Sequence, residues 1–381
     1  MEQALPLNKR LALRQELLDT SDGYILDLPK VELHVHIEGT LTPELRWELA
    51  RRNNQTLRLE RTGTAYTSLA QLRGSYYIIE PRPGHGIDNA EESFTFFEAY
   101  YGGFEVLVKE DDFYELAMNY FEMAAGMKVR YCEPFFDPQG HTRKGVGWET
   151  MMGGFRRAQM DAEERFGIKS SWIMCFLRDM SPESAMETYQ AMLPYRNMVV
   201  GIGLDSLEDD RPPSMFDDVF ALAKKDGFRI TAHCDVGNKD TYQNIRQVAA
   251  TLGGGSGAHR IDHGLNAAQD PDLLSLIKGK GIGMTCTPWG YLRHEPVDEI
   301  FPRIRRLFDA GIPIAVGSDD PAYMEDTWIL HNWLLVKKMC AFSDREMATL
   351  ARHAVDMCWA PEGVKAAIRE EIEAVVAQHE P

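Results

Sequence analysis

The chain has 381 residues, and 41 Lys plus Arg against 58 Asp plus Glu leave a net charge of −17. That balance argues against a nucleic-acid polymer or an anionic membrane surface as the main partner. With 44% hydrophobic and 26% charged residues the composition is that of a folded globular protein, and six cysteines are too sparse for a disulfide scaffold.

The N-terminal stretch MEQALPLNKRLALRQELL is amphipathic and charged, without the apolar core of a secretory signal. No run of about 18 apolar residues follows, so no membrane span and a cytoplasmic location are expected. From there short apolar runs alternate with longer amphipathic stretches. The short runs cover 31–36, 129–136, 170–177, 198–204, 229–233, 260–263, 283–287 and 314–318, and each reads as a buried strand. Helical stretches include 145–166, 182–193, 215–225, 240–252 and 297–309. Eight strands alternating with helices predict the α/β class and a (β/α)8 TIM-like barrel, one domain over residues 1–381. A doubly wound sheet is the rival, but no G-x-G-x-x-G follows the first strand. The span from Thr42 to Lys128 is too long for one helix and predicts a helical insertion between strands one and two. Within it 75–89, rich in Gly and Pro, reads as a surface loop and a candidate lid. Beyond Asp326 three helices, 327–342, 344–359 and 361–378, are expected to complete the outer ring.

His34 and His36 stand two apart at the end of the first predicted strand, where residues i and i+2 face one side. His233 closes the fifth strand, His263 the sixth and Asp319 the eighth. Four histidines and a carboxylate thus gather at the C-terminal ends of the strands, the face where barrel active sites lie. These donors suit a catalytic Zn2+ with a position left for water, and they also admit iron, cobalt or nickel. One such ion per chain lowers the pKa of water and supplies hydroxide, while a nearby imidazole and the ligating carboxylate move the proton. No G-x-S-x-G elbow and no C-x-x-C pair are present, so neither covalent catalysis nor a thiolate site is expected. Candidates to stack a flat heterocycle are Phe94, Phe96, Phe97, Tyr100, Tyr101, Phe135, Phe136, Trp289 and Tyr291, with Trp289, directly after strand seven, foremost. The 94–101 stripe reads rather as plain helix core.

Three motifs then carry a family resemblance: PKVELHVHIEGTLTPE at 29–44, RIDHGLNA at 260–267 and VGSDDPAY at 316–323. With them the chain resembles the adenosine/adenine deaminase family of the amidohydrolase superfamily, over nearly its whole length. EPFFDPQGHTRKGV, CFLRD and GIGLDSLE are similar to the adenine deaminase branch, whose members act on the free base. The resemblance implies a zinc-dependent hydrolytic deaminase of adenine, an N6-substituted adenine or a related aminated heterocycle, releasing ammonia or an amine. It implies His34, His36, His233 and Asp319 as metal ligands and His263 as the group that orients or deprotonates the water. It also implies Asp320 as a partner of a purine ring nitrogen, Ser206 as a backbone contact to the base, and Glu38 as the carboxylate filling the space of a ribose. Its partner is then a small heterocyclic substrate, and the oligomeric state stays open, a homodimer included.

One motif departs from the family. Where H-A-G-E is usual, this chain has His233-Cys234-Asp235-Val236, so Val236 stands in place of the glutamate that protonates the ring. Three readings follow. Asp235 serves as the proton donor from a shifted position; or the protein is a metal hydrolase of another heterocycle or leaving group; or it binds ligand without turnover.

Overall fold

The computed structural model describes residues 4–20, 22–59, 62–78, 95–234 and 242–379. Eight strand positions follow one another in the expected order. They are β1 (Lys30–Glu32), β2 (Val129–Cys132, resumed at Phe135–Phe136), β3 (Trp172–Leu177) and β4 (Val199–Asp205), then β5 (Arg229–Ile230, resumed at His233–Cys234), β6 (Arg260–His263), β7 (Gly283–Cys286) and β8 (Ile314–Val316). Every ladder between them is parallel.

The ladders form three separate sheets rather than one continuous ring. Isolated bridges join them: Val35 with Asp319 links the first strand position to the eighth, and His36 with Phe135 links the first to the second. The backbone bonds are His36 N–H to Asp319 O at 2.9 Å and Asp319 N–H to His34 O at 3.0 Å. Gly317 permits this approach, since a Cβ there would lie 2.4 Å from the His34 carbonyl oxygen. The result is the (β/α)8 TIM-like barrel architecture, with ladder pairing interrupted where the strand ends turn into the catalytic face.

The outer helices form where sequence periodicity and caps agree. Pro182–Met192 starts with Ser181 accepting from the Ser184 N–H and with proline in its first turn. Trp148–Phe166 ends at Gly167, whose φ of 69° supplies the left-handed terminus. Val297–Asp309 buries Ile300, Phe301, Ile304 and Leu307 along one face. The insertion holds Pro43–Arg52, Leu69–Ser75, Phe96–Gly103 and Glu110–Gly126 as helices, and Ile329–Met339, Asp344–Met357 and Glu362–His379 close the chain. Boundaries differ from the sequence expectation by a few residues at helix ends, where caps rather than periodicity decide. The candidate lid at 75–89 lies outside the described residues from position 79 onward.

At the N-terminal end of the barrel, Trp359 seals the interior. Arg260 lies 3.6 Å over its ring, and Glu133 accepts from both the Arg260 guanidinium and the Trp359 N–H. Among the described residues no helix is long and apolar enough to cross a membrane.

Candidate active site

The strand ends bring His34, His36, His233 and Asp319 together, with one ligand atom of each within 4.8 Å of the others. All four are buried. Asp319 Oδ1 lies 3.3 Å from His34 Nε2 and 3.6 Å from His36 Nε2. His36 Nε2 and His233 Nε2 are 3.1 Å apart. The Nδ1 of His233 meets the Leu204 carbonyl at 3.1 Å. A carbonyl only accepts, so His233 donates from Nδ1 and turns a bare Nε2 toward the cluster. His34 Nε2 is buried and makes no hydrogen bond within the protein. Imidazole nitrogens gathered around one carboxylate fit a divalent metal.

His263 sits beside this group, its ring centroid 4.5 Å from that of His34 and 5.0 Å from that of His233. Its Nδ1 contacts Tyr291 Oη at 3.1 Å and Thr287 Oγ1 at 3.3 Å, and Thr287 Oγ1 donates to Asp319 Oδ2. Burial and the neighbouring histidines hold His233 and His263 well below the usual imidazole range, so both are neutral. Burial alone would raise Asp319, yet the surrounding histidines, His34 foremost, keep its carboxyl well below the usual range.

His36, His233, His263 and Asp319 form the floor of a cavity of about 490 Å³. Asp320 and Ser206 line it. Asp320 Oδ1 is buried without a protein partner. Gly39 makes room for it, since a Cβ there would strike that oxygen at 2.1 Å. Burial, then the Asp319 carboxylate, push the Asp320 carboxyl well above its ordinary range. Phe96, Phe97, Tyr100 and Tyr101 also line the cavity. Their helix is therefore more than core, contrary to the expectation for that stripe. Phe94 and Asp235 lie outside the described residues, as does Val236.

Two of the candidate substrate contacts, Trp289 and Glu38, are placed away from the cavity wall. Trp289 is not among the lining residues; it is fully buried, with Nε1 donating to Glu325 Oε2 at 2.7 Å. The short helix Pro288–Tyr291 turns its ring away from the mouth and instead aims the Tyr291 hydroxyl at His263. Glu38 is also absent from the cavity wall. Its Oε1 accepts from the Asp137 N–H at 3.1 Å and pairs with His141 Nε2 at 2.9 Å, so it braces the strand-two loop from behind. Burial raises its carboxyl to about 8. Phe135 is packed inside the barrel directly under the histidines, and Phe136 faces outward against Trp148 and Phe155 of the helix Trp148–Phe166. Arg178 donates to the His233 carbonyl and the Arg211 carbonyl, a scaffold for the fifth strand end.

Asp137 and Asp205 are cavity residues the sequence reading did not name. Together with His36 they form a second trio of ligand atoms within 4.8 Å. No protein donor reaches either oxygen of Asp205, and Asp205 Oδ2 lies 3.5 Å from His36 Nδ1. Burial, then the Glu38 carboxylate, raise Asp137 to about 6; burial, then the Asp137 carboxylate, raise Asp205 well above its usual range. Both end a predicted strand, Asp137 after the second and Asp205 at the close of the fourth. The rule that drew attention to His233 and Asp319 would have found them.

Comparison with known proteins agrees with this geometry. The family model described as Adenosine deaminase matches residues 29–375. An uncharacterized deaminase of Schizosaccharomyces pombe is 39% identical over 341 residues, 90% of this chain and 94% of that protein. An adenine deaminase of Vibrio parahaemolyticus is 36% identical over 360 residues, 94% of this chain and 99% of its own. Among solved structures, the adenine deaminase from Arthrobacter aurescens superposes with a TM-score of 0.80 at 33% identity, covering 92% of this chain and 99% of that one. An amidohydrolase from Burkholderia ambifaria with bound Zn gives a TM-score of 0.80 at 26% identity, covering 93% of each chain.

Proposed function

Given that the chain belongs to the adenosine deaminase family, we propose that it is a zinc-dependent hydrolytic deaminase of adenine or an N6-substituted adenine. The observation that carries this reading is the buried His34–His36–His233–Asp319 group, with His263 beside it, on the floor of a cavity lined by aromatic and carboxyl side chains. His34, His36, His233 and Asp319 would hold a divalent ion, which when bound would supply Lewis-acid activation of water.

The other roles belong to the chain itself. Neutral His263, oriented through Nδ1 by Tyr291 and Thr287, accepts a proton from the attacking water. Asp319 holds the same water in line. Asp320, its Oδ1 otherwise unpaired, hydrogen-bonds a ring nitrogen of the base. Ser206 presents its backbone to the base edge. Phe96, Tyr100 and Tyr101 bound the slot for a flat ring. Asp235 is the donor this reading names for the ring nitrogen that gains a proton. Six buried free thiols favour a reducing, cytoplasmic setting.

Metal-loaded protein is incubated with adenine, adenosine and N6-alkyl adenines while ammonia or amine is assayed. Release from the free bases and not from adenosine is expected; release from none overturns the substrate class. The His233–Val236 departure favours one second reading, a hydrolase of a different ring substituent. Val236→Glu separates the two. A gain of about 10²-fold or more on adenine marks an adenine pocket short of its usual acid, and no gain marks a pocket shaped for another ring.

A further inference from the structure

Below the four clustered residues lies a fully buried layer of side chains to which no role has been given. β6 and β7 run in parallel register with Asp262 opposite Thr285, and β5 places His233 opposite the same Asp262. Asp262 and Thr285 are both 0% exposed. Asp262 Oδ1 accepts the Thr285 hydroxyl at 2.8 Å, and Oδ2 accepts the Thr231 hydroxyl at 2.6 Å. On its other side Thr285 Oγ1 lies 2.7 Å from His34 Nδ1.

A hydroxyl has one proton to give. Thr285 gives it to Asp262, so only its lone pairs remain for His34. The His34 ring must then donate from Nδ1, and a neutral imidazole with its proton there leaves Nε2 bare. Nε2 is the nitrogen that lies 3.3 Å from Asp319 Oδ1 and makes no hydrogen bond within the protein. Asp262 cannot act on His34 unaided, because Oδ1 is 4.0 Å from Nδ1, beyond hydrogen-bond range. His233 reaches the same tautomer through the Leu204 carbonyl, which no side-chain substitution removes. The tautomer of His34 depends on two side chains.

We infer that Thr285 and Asp262 are positioning residues, a hydroxyl–carboxylate relay that locks His34 in the Nδ1–H tautomer and so presents Nε2 to the metal. The inference rests on the proposed metal role of His34. It does not depend on the identity of the substrate.

The test is metal affinity, measured on the full chain by zinc competition against a chromophoric chelator, with melting temperature recorded for each apo variant. Outer-shell partners of ligating histidines are typically worth 10–100-fold in affinity. Thr285→Val, which keeps shape and loses the hydroxyl, is expected to weaken zinc binding by ~10–100-fold, while Thr285→Ser stays within about threefold of wild type. Asp262→Asn lets the Thr285 hydroxyl reverse, donating to His34 Nδ1, and is expected to lose affinity as Thr285→Val does. Equal affinity of Thr285→Val and wild type overturns the relay. So does a Thr285→Ser that binds as poorly as Thr285→Val, since that pattern reports packing. Should Thr285→Val fail to fold, the Asp262→Asn and Thr285→Ser pair decides on the same criterion. Absence of adenine turnover with this pattern intact would count against the substrate reading alone.

Discussion

Ser206, His263 and Asp319 have φ of 69°, 61° and 63°, in the left-handed region that non-glycine residues rarely enter. Such residues cost about 1–3 kcal/mol each and gather where function holds them. All three line the cavity floored by histidines, and each stands at or just past the C-terminal end of a barrel strand. Lys30, at the opposite end of β1, is a different case. It is 0% exposed, donates to the Ile25 and Leu28 carbonyls, and burial lowers its ammonium to about 7. In the unfolded chain it titrates near 10.5. Between those values the unfolded state binds the proton and the folded state does not, so this residue makes stability rise with pH through that window. Below about pH 7 both states are protonated and the full cost of the buried charge is present. Lys30→Met removes the titration. Urea melts at pH 7 and pH 10 should show the variant's stability relative to wild type falling as pH rises; a pH-independent difference would refute the assignment.

At the scale of elements, the segment after β7 works as a brace. Glu325, in the turn after β8, accepts from Trp289 Nε1 and from Arg10 of the N-terminal helix Leu7–Leu18, at 3.0 Å from Nε and 2.8 Å from Nη2. The Trp289 N–H donates to Asn332 Oδ1 on Ile329–Met339. One tryptophan thus ties together the strand-seven end, the strand-eight turn and, through Glu325, the first helix. Trp289→Phe keeps the ring and deletes the donor. A hydrogen bond to a carboxylate is worth about 1.5–3 kcal/mol, so a stability loss of that size with an unchanged KM is expected from denaturant melts and steady-state assays. A tenfold rise in KM with unchanged stability would restore Trp289 to the substrate.

For the whole molecule, the candidate metal group joins the segment after β1, β5 and the loop after β8, its ends at His34 and Asp319 far apart in the chain. The unfolded chain cannot assemble it. Binding free energy there therefore adds to folding stability, by about 4 kcal/mol when free metal is 1,000 times its dissociation constant. Chelation should lower the melting temperature by several degrees, and restoring zinc should reverse the loss. A melt insensitive to chelator would remove the metal from these residues. The −17 charge stays outside this argument; it bears on partners and solubility rather than on the site.

Much of this arrangement is legible before any coordinates are known. Parallel strands buried on both faces read as short apolar runs, so their number and order follow from local pattern. H-x-H, His233, His263 and Asp319 stand out because a strand end faces the same way in every barrel of this type. What local pattern cannot carry is the direction of a side chain once the strand has ended. Trp289 and Glu38 both follow a strand directly, yet one turns into the Glu325 brace and the other behind Asp137, since the path of each loop is decided by packing against other segments. Asp137 and Asp205 belong to motifs read only for likeness, and their role as a cavity wall emerges when β2 and β4 meet across His36. The Thr285–Asp262 relay depends on register between two strands, a property of the pair and of neither strand alone. The sequence by itself determined the metal chemistry and the barrel, because donor type and strand periodicity are properties of short segments. Which carboxylates line the cavity and which neighbour each histidine nitrogen meets follow from the folded chain alone, because they depend on distances between residues far apart in sequence.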